Sequence, residues 1–241
     1  FGYWIKEVKM NSKNNFSVWR IIPQMLLFVV VMPFLPLLIS RHWQWGEAWV
    51  YAIIYILGFA ISRVWAGRRH PDLITERARF MKHEDAKPWD KLLAPLSGLG
   101  GGAMMVVAGL DALFGWSGSF NLVVKIVSLL FIVGGYVLGS HALIENPFFS
   151  GLVRIQTERG HRTISSGPYR LVRHPGYAGA IMTYLASPFF LDSLWAFLPA
   201  VLITIILVIR TYLEDRTLQE ELDGYLDYTK RVHYRLVPGV W

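Results

Sequence analysis

Six apolar stretches, each close to the length needed to cross a bilayer, constrain this chain more than any other feature. They run from about Val18 to Ile39, Trp45 to Trp65, Leu92 to Phe114, Leu122 to Leu143, Tyr177 to Leu191 and Leu194 to Tyr212. A helix of about 20 residues spans the hydrocarbon core, and a backbone placed there must satisfy its own hydrogen bonds. The expected fold class is therefore an all-α integral membrane protein of about six transmembrane helices. The fifth stretch is short for a full span at roughly 15 residues. "SPFFLDS" turns it into the sixth, so the last two form a short hairpin, followed by a C-terminal helix and tail. Pro23, Pro33 and Pro36 predict kinks in the first stretch.

Composition agrees: 54% of the 241 residues are hydrophobic and 17% charged. With no cysteine, disulfides, a thiolate nucleophile, a cysteine zinc site and palmitoylation are all excluded. The net charge of +7 could suggest nucleic acid, but its distribution says otherwise. Of the 24 lysines and arginines, only Arg41 lies in one of the three alternate loops; Arg63 and Lys125 lie inside apolar stretches, and Arg20 and Arg210 fall in the end turns of the first and last, counted with the basic segments they adjoin. The rest sit in the N-terminal tail, the 66–91 and 145–175 loops and the portion from Arg210 onward. Basic loops stay in the cytoplasm and attract anionic lipid. Both termini and any polar site are therefore expected on the cytoplasmic side.

Three regions follow: an N-terminal cytoplasmic tail over 1–17, a four-helix transmembrane region over 18–144, and a catalytic region over 145–241. The opening "FGYWIKEVKMNSKNN" suggests Met10 as a start, with 1–9 an upstream extension. "GLGGG" at 98–102 resembles a nucleotide loop but lies in an apolar stretch, where small residues let helices approach closely. The Gly135–Gly139 spacing reads the same way. Lys125 is expected to snorkel to the interface. "RRHPDLITERARF" at 68–80 reads as a basic interfacial helix, more an anchor facing lipid than a site.

Polar chemistry concentrates in three places. "GPYRLVRHPGYAG", residues 167–179, opens with a Gly167–Pro168 turn and carries Arg170 and Arg173. Pro175 suits the first position of the fifth helix, which puts His174 at its cap. Gly176, Ala178, Gly179 and Ala180 leave the first turn nearly bare, so an anionic group could reach free N–H donors there. Tyr177 could stack on a base or lie against a cation. The stretch fits an ordinary membrane-interface cap equally well. Second, Arg210 and Glu214 lie four apart where the sixth stretch leaves the membrane, a depth at which charges are usually paired or functional. Third, His141 and Glu145 lie four apart at the end of the fourth stretch, with Asn146 ahead of Pro147; a helix-end ion pair accounts for them. All three places reach one membrane face, where they could form a pocket open towards lipid.

"GPYRLVRHPGYAG", followed by R-x-x-x-E-D-x-x-L from Arg210 and then "GYLDYTKRVHYRLVP", resembles the isoprenylcysteine carboxyl methyltransferase family and its phospholipid N-methyltransferase relatives. The resemblance covers Asn146 to Trp241. It implies a membrane enzyme that uses S-adenosylmethionine without a Rossmann domain, under a lid made by the last helices and tail. It places His174, Pro175, Tyr177 and Gly179 on the cofactor motif and Gly167, Pro168 and Tyr169 on its lead-in. Arg210 and Glu214 fall on the second motif: Arg210 would hold an acceptor carboxylate and Glu214 the cofactor. His141, Glu145, Asn146 and Arg173 would support substrate or these groups. The implied acceptor is lipophilic or prenylated and enters from the bilayer among membrane lipids; neither metal nor nucleic acid is expected. Two departures are visible: the family's Glu-Glu pair is Glu214-Asp215 here, and its F-G-x-x-Y is "LDGYLDY".

Membrane sterol reductases that use NADPH share an RHPxYxG element, typically resembling "RHPNYFGE". This chain instead has Gly176 and Ala180 at the distinguishing positions and adds the R-x-x-x-E element. A transporter would carry its ionisable groups near the bilayer midplane.

Overall fold

The computed structural model describes residues 22–78 and 83–241, apart from the side chains of 22–28, 74, 75 and 78. The expected tail over 1–17 lies outside the described residues. Eight α-helices occur among the described residues, and no strand. They are α1 (Ile22–Ser40), α2 (Gly46–Arg69), α3 (Pro71–Ala78), α4 (Asp90–Phe114), α5 (Leu122–Glu145), α6 (Pro175–Phe190), α7 (Phe197–Glu221) and α8 (Tyr225–Arg231).

Four of these, α2, α4, α5 and α7, are long and apolar enough to cross a membrane. The other two expected spans are α1, with 19 residues, and α6, with 16. α1 continues through Pro33 and Pro36, which leaves the carbonyls of Val29 and Met32 without their helical N–H partners. α7 runs past the expected Tyr212 to Glu221. At about 1.5 Å per residue it is longer than the hydrocarbon core is thick, and its apolar run ends at Ile209, so the charged turns from Arg210 to Glu221 form its polar end.

Burial is inverted relative to a water-soluble protein. Leu99, Leu122, Leu130 and Leu198 are each about two-thirds exposed, whereas Asp90, Asp111 and Asp215 are fully enclosed. A continuous exposed apolar belt around buried carboxylates suits a lipid surround.

Small residues set the helix spacing, as the sequence suggested. A Cβ on Gly135 would collide with the Gly179 carbonyl, and one on Gly179 would lie 2.5 Å from that of Gly135, so α5 and α6 meet backbone to backbone. On α4, Gly100 packs under Ile203 of α7, Gly102 under Met32 and Gly109 against Ile39 and Pro36 of α1. "GLGGG" is thus a packing surface.

At the helix ends away from the 145–175 loop, Asp111 accepts from the backbone N–H (2.8 Å) and hydroxyl (2.7 Å) of Ser117 and from the Ser193 hydroxyl (2.6 Å). It joins the α4–α5 and α6–α7 turns. Lys125, in the first turn of α5, was expected to snorkel; its ammonium lies at that helix end between Glu47 and Asp192, 2.6 Å from each.

Candidate functional site

At the opposite end a cavity of about 190 Å³ lies between the 145–175 loop, α3, α6, α7 and α8. Three buried arginines frame it, each held by a buried carboxylate. The first is Arg210 on α7. Its expected neighbour along the helix, Glu214, is not its partner. Asp90, the first residue of α4, accepts from Arg210 Nε at 2.7 Å and from Nη2 at 2.9 Å. Asp90 Oδ2 also accepts from the Val153 backbone N–H at 2.7 Å, so one carboxylate fixes both the arginine and the loop. Such a paired, charge-assisted fork sets the guanidinium plane. Arg210 Nη1 makes no hydrogen bond among the described residues, and its Cζ lies 5.3 Å from the centre of the Tyr177 ring.

The second is Arg173. It donates to Asp215 through Nε (2.7 Å) and Nη2 (2.9 Å), and to the carbonyls of Val232 (2.9 Å) and His233 (2.8 Å) through Nη1. Asp215 additionally accepts from Arg235 (2.8 Å), Gln219 (2.7 Å) and the Tyr225 hydroxyl (3.1 Å), and lies 3.3 Å from His174 Nε2. The backbone N–H groups of Arg173 and His174 donate to the carbonyls of Tyr234 and Arg235, both at 2.9 Å. The tail is therefore fastened across the 167–174 turn.

The third is Arg154, ringed by Glu76 (2.8 Å), Asp85 (2.7 Å) and Glu158 (2.6 Å). These carboxylates, set against its own burial, raise its proton affinity, while Asp85 and Glu158 are held below the usual carboxylate range by the same bonds despite burial in the opposite sense. The neighbouring His161 ring lies 4.6 Å from that of Phe148. Burial, together with the charges of Arg154 and Arg159, pulls its pKa down to about 4 and keeps it neutral.

Against this committed frame, Glu214 stands apart. It is the one carboxylate lining the cavity among the described residues. It accepts from the Tyr177 hydroxyl at 2.6 Å and has no cation partner among those residues. Tyr177 is thus fixed between Glu214 and Arg210. The ring of His174 lies nearly parallel to that of Tyr177, 5.9 Å away; it occupies the N-cap of α6 as expected, but turns to Asp215 and caps nothing.

The other expected residues divide into walls and supports. Tyr169 and Asn146 line the cavity, and Asn146 donates to the Tyr169 hydroxyl at 3.3 Å while accepting from the Phe148 N–H at 2.8 Å. Pro168 and Pro175 are buried beneath the turn and at the helix start. Gly167, at φ 56, adopts the left-handed conformation that glycine takes readily, with Glu145 pressed against it. Gly179 faces α5 and lies outside this cavity's walls. His141 and Glu145 do not pair. Glu145 binds Arg69 at 3.0 Å and accepts from Ser166, while His141 is exposed.

The sequence reading missed Asp90, Asp215 and Arg77. α3 was expected to face lipid as an anchor. Its helix forms over Pro71–Ala78, but Leu73 and Glu76 are buried and Arg77 lines the cavity. Arg77 donates to the carbonyls of Phe149 (3.1 Å) and Ser150 (3.3 Å) and lies 5.4 Å from the Phe149 ring centre. Burial and the fields of Arg63 and Arg210 pull its pKa down to about 9. A polar stripe at Glu76–Arg77, one turn beyond the buried Leu73, was the available signal. Asp90 offered none, being a lone acid at a helix start.

Residues 126–220 match the model of the isoprenylcysteine carboxyl methyltransferase (ICMT) family. This end of the chain resembles that family. The matched stretch runs from α5 to near the end of α7 and contains Tyr169, Arg173, His174, Tyr177, Arg210 and Glu214, but neither Asp90 nor Arg77. Among curated proteins, the probable protein-S-isoprenylcysteine O-methyltransferases of Oryza sativa subspecies indica and japonica are each 28% identical over 118 residues. That alignment covers 46% of this chain and 59% of theirs. The Delta(14)-sterol reductase TM7SF2 of Mus musculus is 31% identical over 127 residues, covering 48% of this chain and 30% of that protein. The chain thus spans less than two thirds of the length of each of these relatives.

Proposed function

We propose that the protein is an integral membrane methyltransferase that transfers a methyl group from S-adenosylmethionine to a lipophilic acceptor, with a carboxylate such as that of a prenylated cysteine or isoprenoid acid as the group modified. The observation that carries this reading is Glu214, a carboxylate without a cation partner among the described residues, in a cavity whose other charged walls are cationic. The donor set fits the cofactor: a carboxylate for its positive charges or ribose hydroxyls, aromatic walls for the base, and arginines for its carboxylate. The family match and the rice relatives support the same class.

When bound, S-adenosylmethionine supplies an electrophilic methyl group on a sulfonium. The chain's part is alignment and exclusion of water, since a carboxylate acceptor is already nucleophilic. Alignment of that kind can supply roughly 7–11 kcal/mol in favourable cases. Glu214, held by Tyr177, fixes the cofactor. Arg210 is held rigid by Asp90 and turns its unengaged Nη1 to the acceptor oxyanion. Tyr225 and Tyr228 of α8, the former bonded to Asp215, close one wall of the site. The proposed orientation, with both termini and the site cytoplasmic, follows from the basic loops.

The TM7SF2 relative makes NADPH the cofactor to test beside it. Isothermal titration of detergent-purified protein with S-adenosylhomocysteine is expected to show binding, and titration with NADPH none. Glu214→Gln should weaken S-adenosylhomocysteine about tenfold or more, the scale of a charged hydrogen bond. Binding of NADPH alone would replace this reading with a reductase.

A further inference from the structure

α2 and α5 run side by side in the same direction and are tied at both ends, by Glu47 to Lys125 near their starts and by Arg69 to Glu145 at their last residues. Between the two ties the ring of Tyr136 packs on Gly58, where a Cβ would lie 3.2 Å from it. From that contact to the Arg69–Glu145 pair the outer surface is a groove of about 750 Å³. None of the residues that line it lines the candidate site. They follow the helical repeat: Gly58, Ile61, Trp65 and Arg68 on α2, and Val137, His141 and Ile144 on α5, recur every three or four positions. Each helix thus turns one face to the groove.

The chemistry along the groove is graded. Ile61 and Val137, each more than half exposed, make its deep part apolar. Trp65, 59% exposed, follows one turn on, and tryptophan is enriched where hydrocarbon meets headgroups. Arg68 and Arg69 close the end on α2, and His141 joins them from α5. Ile61 and Arg69 are separated by about 12 Å along the helix axis, which carries the groove from hydrocarbon to headgroup depth. A helix dipole by itself favours arginine in a last turn, where the side chain can reach water. Here, however, basic side chains of two helices converge on one end of a lipid-facing groove. The side chains of Arg68 and His141 have no hydrogen-bond or ion-pair partner among the described residues, and Arg69 has only Glu145, at 3.0 Å.

We propose that this groove binds an anionic phospholipid of the surrounding membrane, with its phosphate on Arg68, Arg69 and His141 and one acyl chain along Ile61 and Val137. Charge complementarity selects the head and the apolar part selects a chain, a combination that a bilayer lipid offers and a soluble phosphate does not. The sequence placed Arg68 and Arg69 in an interfacial anchor; the groove makes them part of a discrete site shared with α5. Arg69 is also the partner of Glu145, which accepts from the Ser166 hydroxyl and lies 3.0 Å from where a Cβ on Gly167 would sit. The lipid phosphate therefore lies one side chain away from the turn that leads into the candidate site. The assignment goes beyond the methyltransferase reading and does not depend on it.

The experiment uses the full chain in detergent, with lipid affinities read by native mass spectrometry. Phosphatidylglycerol should bind about tenfold or more tighter than phosphatidylcholine of the same chains, since each basic residue near a membrane surface adds roughly fivefold towards anionic lipid. Arg68→Gln should lose about fivefold of that preference with phosphatidylcholine binding unchanged, and Arg68→Lys should keep most of it. Arg231→Gln, which removes an exposed charge of α8 outside the groove, should leave the preference intact. Brominated phosphatidylglycerol should quench tryptophan emission through a saturable component that Trp65→Phe removes. Equal binding of the two lipids by wild type overturns the proposal, as does a preference untouched by Arg68→Gln. An equal loss in Arg231→Gln marks diffuse attraction to basic loops and overturns it too, and so does saturable quenching that survives Trp65→Phe. Competition by glycerol 3-phosphate at concentrations similar to those of the lipid would reassign the cations to a soluble phosphate. The groove shares Gly58, Tyr136 and Ser140 with a cavity of about 250 Å³ among α2, α5 and α6, so N-acetyl-S-farnesylcysteine is titrated as well. If it displaces phosphatidylglycerol at lower concentrations than phosphatidylglycerol itself needs to bind, the groove belongs to the acceptor and the phospholipid site is overturned.

Discussion

Replacing Asp90 by asparagine removes one charge and converts one acceptor oxygen into a donor, with almost no change of shape. Asp90 is fully buried and accepts three hydrogen bonds: two from Arg210, at 2.7 and 2.9 Å, and one from the Val153 N–H at 2.7 Å. In Asp90→Asn the new amide N–H₂ must face the guanidinium in either orientation, against Nε in one and against both Nη2 and the Val153 N–H in the other, donor against donor. The Arg210 charge then stays in place without compensation, beside Arg77. Breaking a buried ion pair by removing one partner costs about 3–5 kcal/mol. For a chain of this size roughly 2–4 °C of melting temperature accompanies each kcal/mol. Asp90→Asn should therefore lower the melting temperature in detergent by about 6–20 °C, followed by intrinsic tryptophan fluorescence. Arg210→Met alone should also be destabilising, but Asp90→Asn with Arg210→Met should melt well above the sum of the two losses, because no uncompensated charge remains. A shift under about 3 °C for Asp90→Asn, or a double variant that falls at the additive value, would refute the claim that this pair organises the site.

Asp215→Asn should loosen the tail. Amide hydrogen exchange over 225–241 should accelerate about tenfold or more, and unchanged protection there would show that the backbone bonds at Arg173 and His174 suffice. Gly179→Ala places a methyl 2.5 Å from the Gly135 carbonyl and 2.9 Å from the Gly139 N–H, and should cost about 1–3 kcal/mol or more by forcing α5 from α6. Gly118→Ala, which meets nothing within 4 Å, should melt like wild type; equal effects would mean that the α5–α6 approach is not limiting. His161 has its pKa pulled to about 4, below the usual ~6.5, so the unfolded chain takes up a proton that the folded chain refuses. Its contribution is complete above about pH 6.5 and is lost as pH falls towards 4, by about 1–2 kcal/mol after solvent screening. The melting temperature of His161→Gln should accordingly fall less than that of wild type between pH 7.5 and 4.5, and parallel curves would contradict the buried neutral ring.

The architecture was legible where one residue type suffices to dictate it. Apolar runs of bilayer length marked the helices, and the glycines at 100–102 and at 135 marked close contacts, because neither depends on a distant partner. The residues from Gly167 to Gly179, with Arg210 and Glu214, were legible as a unit through their resemblance to a family. What could not be read was partner choice among charges. Arg210 has Glu214 one turn away and chooses Asp90, 120 positions distant. Glu145 has His141 one turn away and chooses Arg69. Helical spacing identifies the neighbours that could pair, but burial decides which pairs form, and burial is set by how distant helices meet. The same reason explains Arg77: an eight-residue helix with mixed charges reads as an interfacial anchor until the cavity wall behind it is known.

The pairing pattern is also the argument for function. A protein that enclosed arginines only for structure could neutralise each of them, and Arg154, Arg173 and Arg210 are neutralised by five carboxylates, of which Glu76, Asp90 and Asp215 are buried. Among the described residues, charge without an ion-pair partner then remains at Glu214, negative, and at Arg77 and Arg63, positive. These flank two cavities that share the ring of Phe149, the candidate site and the one among α2, α5 and α6. Fixing the framing charges with short, forked bonds means that they need not reorganise when ligands arrive, the condition under which electrostatic positioning is most effective. Leaving the remaining charges of opposite sign apart prevents them from satisfying each other. On the proposed methyltransferase reading, this arrangement would suit one ligand with a positive centre and another with a carboxylate, brought together as their charges cancel.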